Sequence, residues 1–203
     1  TDPRATQYDL GWLTSLDMGP NPLWQLEDLL DDVPLMPGDR VLDLGCGRGA
    51  TSVFLARETG ARVTACDLWV PREELTAHLV EAGVADEVTV VNANARQLPF
   101  EDHTFDAIVS IDAFEYFGTD VHTLPELLRV VRLGGRIGMS TPSLRVDPYQ
   151  ERPAKDISAL LGPEVGAWHA PEWWATHWEL SGLVDDVVAA AEVVRTAGPR
   201  RRD

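Results

Sequence analysis

The sequence is poor in cysteine, in basic residues and in long apolar runs. The only cysteines among the 203 residues are Cys46 and Cys66. Two thiols are too few for a disulfide framework, and we expect both to be small buried residues in a reducing cytoplasm rather than metal ligands. No stretch approaches the roughly 18 to 20 apolar residues that span a bilayer, and the first ten residues show no apolar signal segment. We therefore expect a cytoplasmic protein without a membrane partner.

Basic residues are also scarce. Lysine and arginine number 17 against 33 aspartates and glutamates, which gives a formal net charge of −16. Proteins that grip nucleic acid usually present a basic face, because neutralisation of phosphates supplies most of the affinity. The one dense basic cluster lies at 200–202, and we interpret it as a solvated tail. The charge balance therefore argues against nucleic acid as a partner.

The most informative segment is VLDLGCGRG at residues 41–49. Its apolar start is typical of a buried parallel strand, and the glycines permit a sharp turn that approaches a ligand closely. A second apolar run, RVTAC, ends at Asp67, twenty residues after Gly47. An acidic residue at the end of the second strand is placed to bind ribose hydroxyls, as in dinucleotide-binding folds. The pattern predicts a nucleoside-containing cofactor.

The charge beside the glycines indicates which nucleoside it is. The dinucleotide fingerprint G-x-G-x-x-G/A brings backbone N–H groups up to a pyrophosphate, and Ala50 could serve as its last small residue. Asp43 argues against a dinucleotide, since a carboxylate beside the turn repels a pyrophosphate and attracts a cation. S-adenosylmethionine carries a sulfonium and an ammonium but no phosphate. The residues favour this cofactor, with an NAD-type oxidoreductase as the alternative.

Residues 41–142 resemble the class I S-adenosylmethionine-dependent methyltransferases of the small-molecule type. The similar segments are VLDLGCGRG, VTACDLW, NANARQLPF, FDAIVSIDAFEYF and LLRVVRLGGRIGMSTP. The resemblance implies a Rossmann-like, doubly wound α/β fold, with a mostly parallel sheet of the seven-stranded type and helices on both faces. It also implies methyl transfer to a small molecule by in-line displacement. The cofactor-binding residues that it implies are Asp43, Gly45, Cys46, Gly47, Asp67, Leu68, Asn94, Ala95 and Asp112.

Two residues depart from the family pattern. Asn94 stands where an aspartate is usual, which keeps an acceptor for the adenine amino group but removes a charge. Leu133 replaces the proline that is common before the Gly-Gly turn. We expect little effect from this second change, because Gly134 and Gly135 still supply the turn.

The alternation of apolar runs and amphipathic segments predicts a parallel sheet covered by helices. The predicted strands are 41–44, 62–66, 87–91, 105–110 and 136–140, and the predicted helices include 51–58, 71–81, 123–132 and 171–182. We divide the chain into an N-terminal arm and helix, 1–35, and an S-adenosylmethionine-binding domain, 36–203. The arm either packs on the sheet edge or folds over the cofactor. The insertion 143–170 is either a mobile loop or a substrate lid, and we favour the lid because the insertion leaves the sheet on the ligand side. A sixth strand is expected at 185–194.

The candidate catalytic residues follow the fourth strand. Asp112 ends this strand beside the expected methionine moiety, and Glu115 and Tyr116 come next. We expect Glu115 or Tyr116 to accept a proton or to orient the acceptor. The alternative is that the flanking phenylalanines pack against the helix while Glu115 is simply solvated.

The methyl acceptor is predicted only as a chemical class. Trp168 and Trp173, with His169, are expected to wall an aromatic substrate pocket, unless the tryptophans only cover the sheet; Tyr8 is a further substrate candidate. An acidic protein with aromatic walls favours a neutral or cationic metabolite, with amines first and phenols or hydroxyls second. No metal site is expected. A catalytically silent S-adenosylmethionine-binding module remains an alternative.

Overall fold

The computed structural model describes residues 3–16 and 21–187. Its contacts divide the chain into two compact units, Thr1–Pro142 and Ser143–Asp203. The described elements of the first unit are a 3-10 helix (Arg4–Gln7), α1 (Leu10–Leu16), α2 (Pro22–Leu29), β1 (Arg40–Leu44), α3 (Ala50–Thr59), β2 (Arg62–Asp67), α4 (Arg72–Glu81), β3 (Val88–Asn92), β4 (Phe105–Ile111), a 3-10 helix (Phe114–Tyr116), α5 (Thr123–Val130) and β5 (Val131–Ser140). Those of the second unit are α6 (Lys155–Leu161), a 3-10 helix (Gly162–Ala167) and α7 (Pro171–Ser181).

The strands of the first unit form one parallel sheet in the order β3-β2-β1-β4-β5. The central strand β1 is buried at every position after Arg40, as expected for a strand covered on both faces. Because the strands are parallel, their carboxyl ends meet at one edge of the sheet. The predicted Rossmann-like α/β fold is confirmed. Of the sixth strand expected at 185–194, residues 185–187 are not in a strand, and the others lie outside the described residues.

The structure differs from the sequence-based boundaries at the last described strand. The helix predicted at 123–132 ends at Val130, and β5 already begins at Val131. The Gly-Gly pair lies inside this strand, where the register shifts: Phe105 pairs with Val131, but Ala107 pairs with Arg136. At Gly135 a Cβ would lie 2.8 Å from the carbonyl oxygen of Asp106, so only glycine fits this irregularity.

The N-terminal helices pack on the first unit through an apolar face. Asn21 caps α2 by accepting hydrogen bonds from the backbone N–H groups of Leu23 and Trp24. Leu23 and Leu26, three positions apart on this helix, are completely buried. These contacts fix α2 beside the end of the sheet where the candidate site lies.

The second unit contains helices in a segment, 143–170, for which the sequence predicted no helix or strand. The stretch interpreted as a lid contains α6 and a 3-10 helix, and the predicted helix at 171–182 is observed as α7. The unit is held in part by Asp147 and His169, which are both buried and lie 2.8 Å apart between Oδ2 and Nδ1. Within the described residues, no helix is long and apolar enough to cross a membrane.

Candidate active site

A cavity of about 220 Å³ opens at the carboxyl ends of the strands in the first unit. It is lined by the turns that follow β1, β2, β3 and β4, together with the end of α1 and the start of α2. The structure brings most of the residues predicted from the sequence to this one place. Those that line the cavity are Gly45, Cys46, Gly47, Asp67, Leu68, Asn94, Ala95, Asp112 and Tyr116.

The glycine turn after β1 is shaped by contacts within the protein. Gly45 has a φ of +75°, and a Cβ there would lie only 2.4 Å from the Cβ of Ala113. Gly49 has a φ of +93° and precedes α3, where a Cβ would come within 2.6 Å of Leu75. At these two positions the missing Cβ therefore allows neighbouring elements to pack closely, and not only a ligand to approach.

Asp67 connects the two motifs that the sequence analysis paired. Its Oδ2 accepts a hydrogen bond of 2.9 Å from the backbone N–H of Gly47. Its Oδ1 accepts bonds from the N–H groups of Trp69 and Val70, at 2.7 and 2.9 Å. A carboxylate offers about four acceptor positions, so about one remains for a ligand hydroxyl. Asp67 is thus fixed at the cavity wall with acceptor capacity to spare.

Asp43 is not where direct cofactor binding would require it. The residue is 1% exposed and does not line the cavity. Its Oδ2 accepts hydrogen bonds from the hydroxyls of Thr51 and Ser52, in the first turn of α3. Burial raises its pKa to about 6, although these two hydrogen bonds lower it. The prediction that Asp43 contacts the cofactor directly is therefore corrected. Its position in β1 directs the carboxylate to the start of α3 and not into the cavity.

The buried carboxylate still bears on what the cavity accepts. Within the described residues, Asp43 Oδ1 has no hydrogen-bond partner. The two arginines at the cavity are each paired with a carboxylate: Arg48 with Glu74 at 3.0 Å, and Arg96 with Asp120 at 3.1 Å. The site therefore offers carboxylates to a cation and no unpaired arginine to a pyrophosphate.

In the turn after β3, the side-chain oxygen of Asn94, which was expected to accept a hydrogen bond from the adenine, already accepts one within the protein. Asn94 Oδ1 accepts a hydrogen bond of 3.0 Å from the backbone N–H of Arg96. Arg96 in turn donates to the carbonyl oxygen of Tyr116, which joins this turn to the exit of β4. The replacement of the usual aspartate thus preserves a turn-forming hydrogen bond, since an amide oxygen accepts it equally well.

Only one of the two candidate catalytic residues reaches the cavity. Glu115 is 5% exposed, accepts a hydrogen bond of 2.6 Å from the hydroxyl of Thr141 and does not line the cavity. Tyr116 lines it and is 41% exposed, because the 3-10 turn directs successive side chains to different sides. Its ring meets Trp69 edge-on, with centroids 5.1 Å apart. The expectation that Glu115 faces the substrate, and the alternative that it is solvated, are both corrected.

Of the predicted substrate residues, only Tyr8 belongs to the same unit as the cavity. Tyr8 packs against Phe54, and its hydroxyl lies 3.0 Å from a carboxylate oxygen of Glu58, so it stabilises the arm on α3 and does not line the cavity. Trp168 and Trp173 belong to the second unit. There, the ring of Trp173 stacks on His169 at 3.5 Å between centroids. Their role as substrate walls stays a prediction.

Some residues of interest were missed by the sequence analysis. Gln25 hydrogen-bonds Asp112 although 87 positions separate them, and no local pattern announces such a contact. Trp69 lines the cavity and is 64% exposed. Trp69 could have been predicted from the sequence, because it lies two residues after Asp67, at the end of a predicted strand. Asp147 was missed because its partner His169 lies on the far side of the insertion.

These features define a class: an α/β domain that binds a nucleoside cofactor at the carboxyl edge of a parallel sheet. The sequence model of a family described as a methyltransferase domain matches residues 41–135. This match agrees with the resemblance of the motifs to the class I S-adenosylmethionine-dependent methyltransferases.

Curated relatives and solved structures agree with this family. The chain is 33% identical over 168 residues to demethylmenaquinone methyltransferase of Clavibacter sepedonicus, covering 76% of this chain and 65% of that protein. It is 31% identical over 108 residues to 27-O-demethylrifamycin SV methyltransferase of Amycolatopsis mediterranei, covering 53% and 40%. A geranyl diphosphate methyltransferase in complex with GPP and sinefungin aligns with a TM-score of 0.65 and 27% identity, covering 78% and 58%. The chain thus spans about two fifths to two thirds of the length of these relatives.

Proposed function

We propose that this chain binds S-adenosylmethionine in the cavity of the first unit and transfers its methyl group to a small molecule. The observation that carries the proposal is the geometry of Asp67. Its carboxylate is held by three backbone N–H groups, ties the glycine turn to the loop after β2, and keeps an acceptor position at the cavity wall. Such a fixed anion suits the hydroxyls of a ribose.

The order of the strands supports one arrangement of the cofactor. We infer that the ribose binds Asp67 after β2, and that the adenine lies against Leu68 and the backbone of Asn94 and Ala95, towards β3. The methionine part then lies over the glycine turn after β1 and towards Asp112 after β4. The cofactor supplies a methyl group already activated on a sulfonium. The task of the chain is to align the acceptor with that methyl group and to exclude water.

The acceptor is proposed as a neutral or cationic small molecule. Tyr116 and the exposed Trp69 form an aromatic corner at the cavity, and aromatic faces attract cations. Amines are the first expectation, with phenols or hydroxyls second and carboxylates disfavoured by the acidic chain. We infer that Tyr116 orients the acceptor. The relatives named above are methyltransferases whose names refer to small molecules, which supports this class.

A product assay tests this proposal. The protein is incubated with methyl-labelled S-adenosylmethionine and a metabolite extract, and labelled products are identified by mass spectrometry. We expect a labelled small molecule together with S-adenosylhomocysteine. Asp67→Asn should abolish most of the product, while Asp86→Asn, which changes an exposed aspartate that does not line the cavity, should not. Label only in RNA, DNA or protein would contradict the small-molecule proposal, and cofactor binding without any product would favour the silent module.

A further inference from the structure

The side chain of Gln25 links the N-terminal helix α2 to the cavity. Its amide nitrogen donates a hydrogen bond of 2.5 Å to Asp112 Oδ2. Its amide oxygen accepts a bond of 2.7 Å from the hydroxyl of Ser140. The three residues come from α2, from the exit of β4 and from the end of β5. All of them lie in the first unit.

The two partners leave only one orientation for the Gln25 amide. An ionised carboxylate only accepts hydrogen bonds, so the NH₂ end must face Asp112. The oxygen end then faces the Ser140 hydroxyl, which can donate. A glutamine restrained at both ends loses its rotational freedom, and it passes that restraint on to the carboxylate it contacts.

The backbone of Asp112 is restrained as well. Its φ is +52°, a conformation that residues other than glycine rarely adopt. Its N–H donates a hydrogen bond of 2.8 Å to the carbonyl oxygen of Ser140. Asp112 is therefore held both by its backbone and by its side chain while it lines the cavity. A strained, doubly held acidic residue at a ligand cavity indicates a role that needs precise placement.

We propose that Gln25 is a positioning residue that holds Asp112 as a counter-charge for the sulfonium of the cofactor. This inference rests on the proposed function, in which the methionine part lies towards β4. S-adenosylmethionine carries a sulfonium that S-adenosylhomocysteine lacks, so a fixed anion favours the substrate form over the product form. Gln25 thereby contributes to selection of the charged cofactor and to release of the spent one.

The test compares the dissociation constants of both ligands by calorimetry. Gln25→Met removes both hydrogen bonds at nearly the same side-chain length, and Ser140→Ala removes only the outer one. Gln7→Met, at an exposed position of the same arm, is the matched control. We expect the preference for S-adenosylmethionine over S-adenosylhomocysteine to fall about three- to tenfold in Gln25→Met, the size of the net contribution of one ordinary hydrogen bond. It should fall less in Ser140→Ala and stay unchanged in Gln7→Met.

The preference ratio separates positioning from general damage. A purely structural role for Gln25 would weaken both ligands equally, and an unchanged ratio would overturn the inference while leaving cofactor binding intact. If Gln25→Met fails to fold, Ser140→Ala decides the question by the same ratio. Failure of the unmodified protein to bind either ligand would overturn the proposed function, and this inference with it.

Discussion

Asp67 is the residue on which we expect the site to depend most, because it both holds the glycine turn and lines the cavity. Replacing it by asparagine puts an NH₂ group where an oxygen now accepts backbone N–H groups, and it removes the charge. We expect Asp67→Asn to weaken S-adenosylmethionine binding by about 1.5–3 kcal/mol, the scale of a charge-assisted hydrogen bond. Calorimetry measures this effect against the exposed control Asp86→Asn. Equal affinities in the two variants would remove Asp67 from the site.

Asp43 predicts a pH dependence of stability. Burial raises its pKa from 3.8 to about 6, so at intermediate pH the folded chain holds a proton that the unfolded chain has released. Its favourable contribution is therefore full below the unfolded value and is lost as the pH rises through about 6. The total loss is about 3 kcal/mol, of which about 2 kcal/mol falls between pH 4.5 and 7.5.

Asp43→Asn does not titrate and should keep the hydrogen bonds from Thr51 and Ser52 through its amide oxygen. Relative to the unmodified chain, its free energy of unfolding in urea should therefore increase by about 2 kcal/mol from pH 4.5 to 7.5. Other titrating groups cancel in this difference. A difference that stays constant with pH would contradict the assignment.

At the residue scale, sequence patterns predicted which segments lie at the cavity better than they predicted the directions of individual side chains. Gly45, Gly47 and Asp67, which the spacing selected, line one cavity. The same patterns placed Glu115 at the substrate, although its 3-10 turn directs it inward to Thr141. Side-chain direction in irregular turns depends on tertiary partners such as Thr141, 26 positions away, and no local pattern carries that information.

At the scale of elements, the turn after β1 must pack against the exit of β4. Gly45 and Gly83 both have positive φ values, +75° and +70°. A Cβ at Gly45 would meet Ala113 at 2.4 Å, whereas a Cβ at Gly83 meets nothing within 4 Å. Gly83→Ala therefore isolates the cost of the backbone conformation, and Gly45→Ala adds the clash.

We expect Gly83→Ala to cost about 1 kcal/mol of unfolding free energy and Gly45→Ala at least about 2 kcal/mol more. Gly45→Ala should also weaken cofactor binding, because the displaced turn lines the cavity. Urea denaturation and calorimetry measure the two effects. Similar costs for both substitutions would show that the close contact with Ala113 is unimportant.

The ends of elements were harder to predict than their existence. Each strand from β1 to β4 was predicted within about one residue, because apolar runs bounded by glycine or polar residues define them. The start of β5 was missed, since the Gly-Gly pair reads as a turn in sequence. In the structure this pair lies in an irregular stretch of the strand, because Gly135 packs against the backbone of β4. That contact is long-range.

For the whole molecule, charge and topology lead to the same ligand class. The chain carries a formal net charge of −16, and the arginines at the cavity are already paired with carboxylates. A parallel sheet directs its strand ends, and thus Asp67 and Asp112, to one edge. Both features favour a cationic nucleoside over a dinucleotide, whose pyrophosphate would meet carboxylates without unpaired arginines.

The central claim, that this cavity takes S-adenosylmethionine, is tested most directly by calorimetric titration of the unmodified protein with S-adenosylmethionine and, separately, with NAD⁺. The arrangement of Asp67, the glycine turn and Asp112 predicts saturable binding of one S-adenosylmethionine per chain and no binding of NAD⁺. Binding of NAD⁺ without binding of S-adenosylmethionine, or binding of neither, would contradict it.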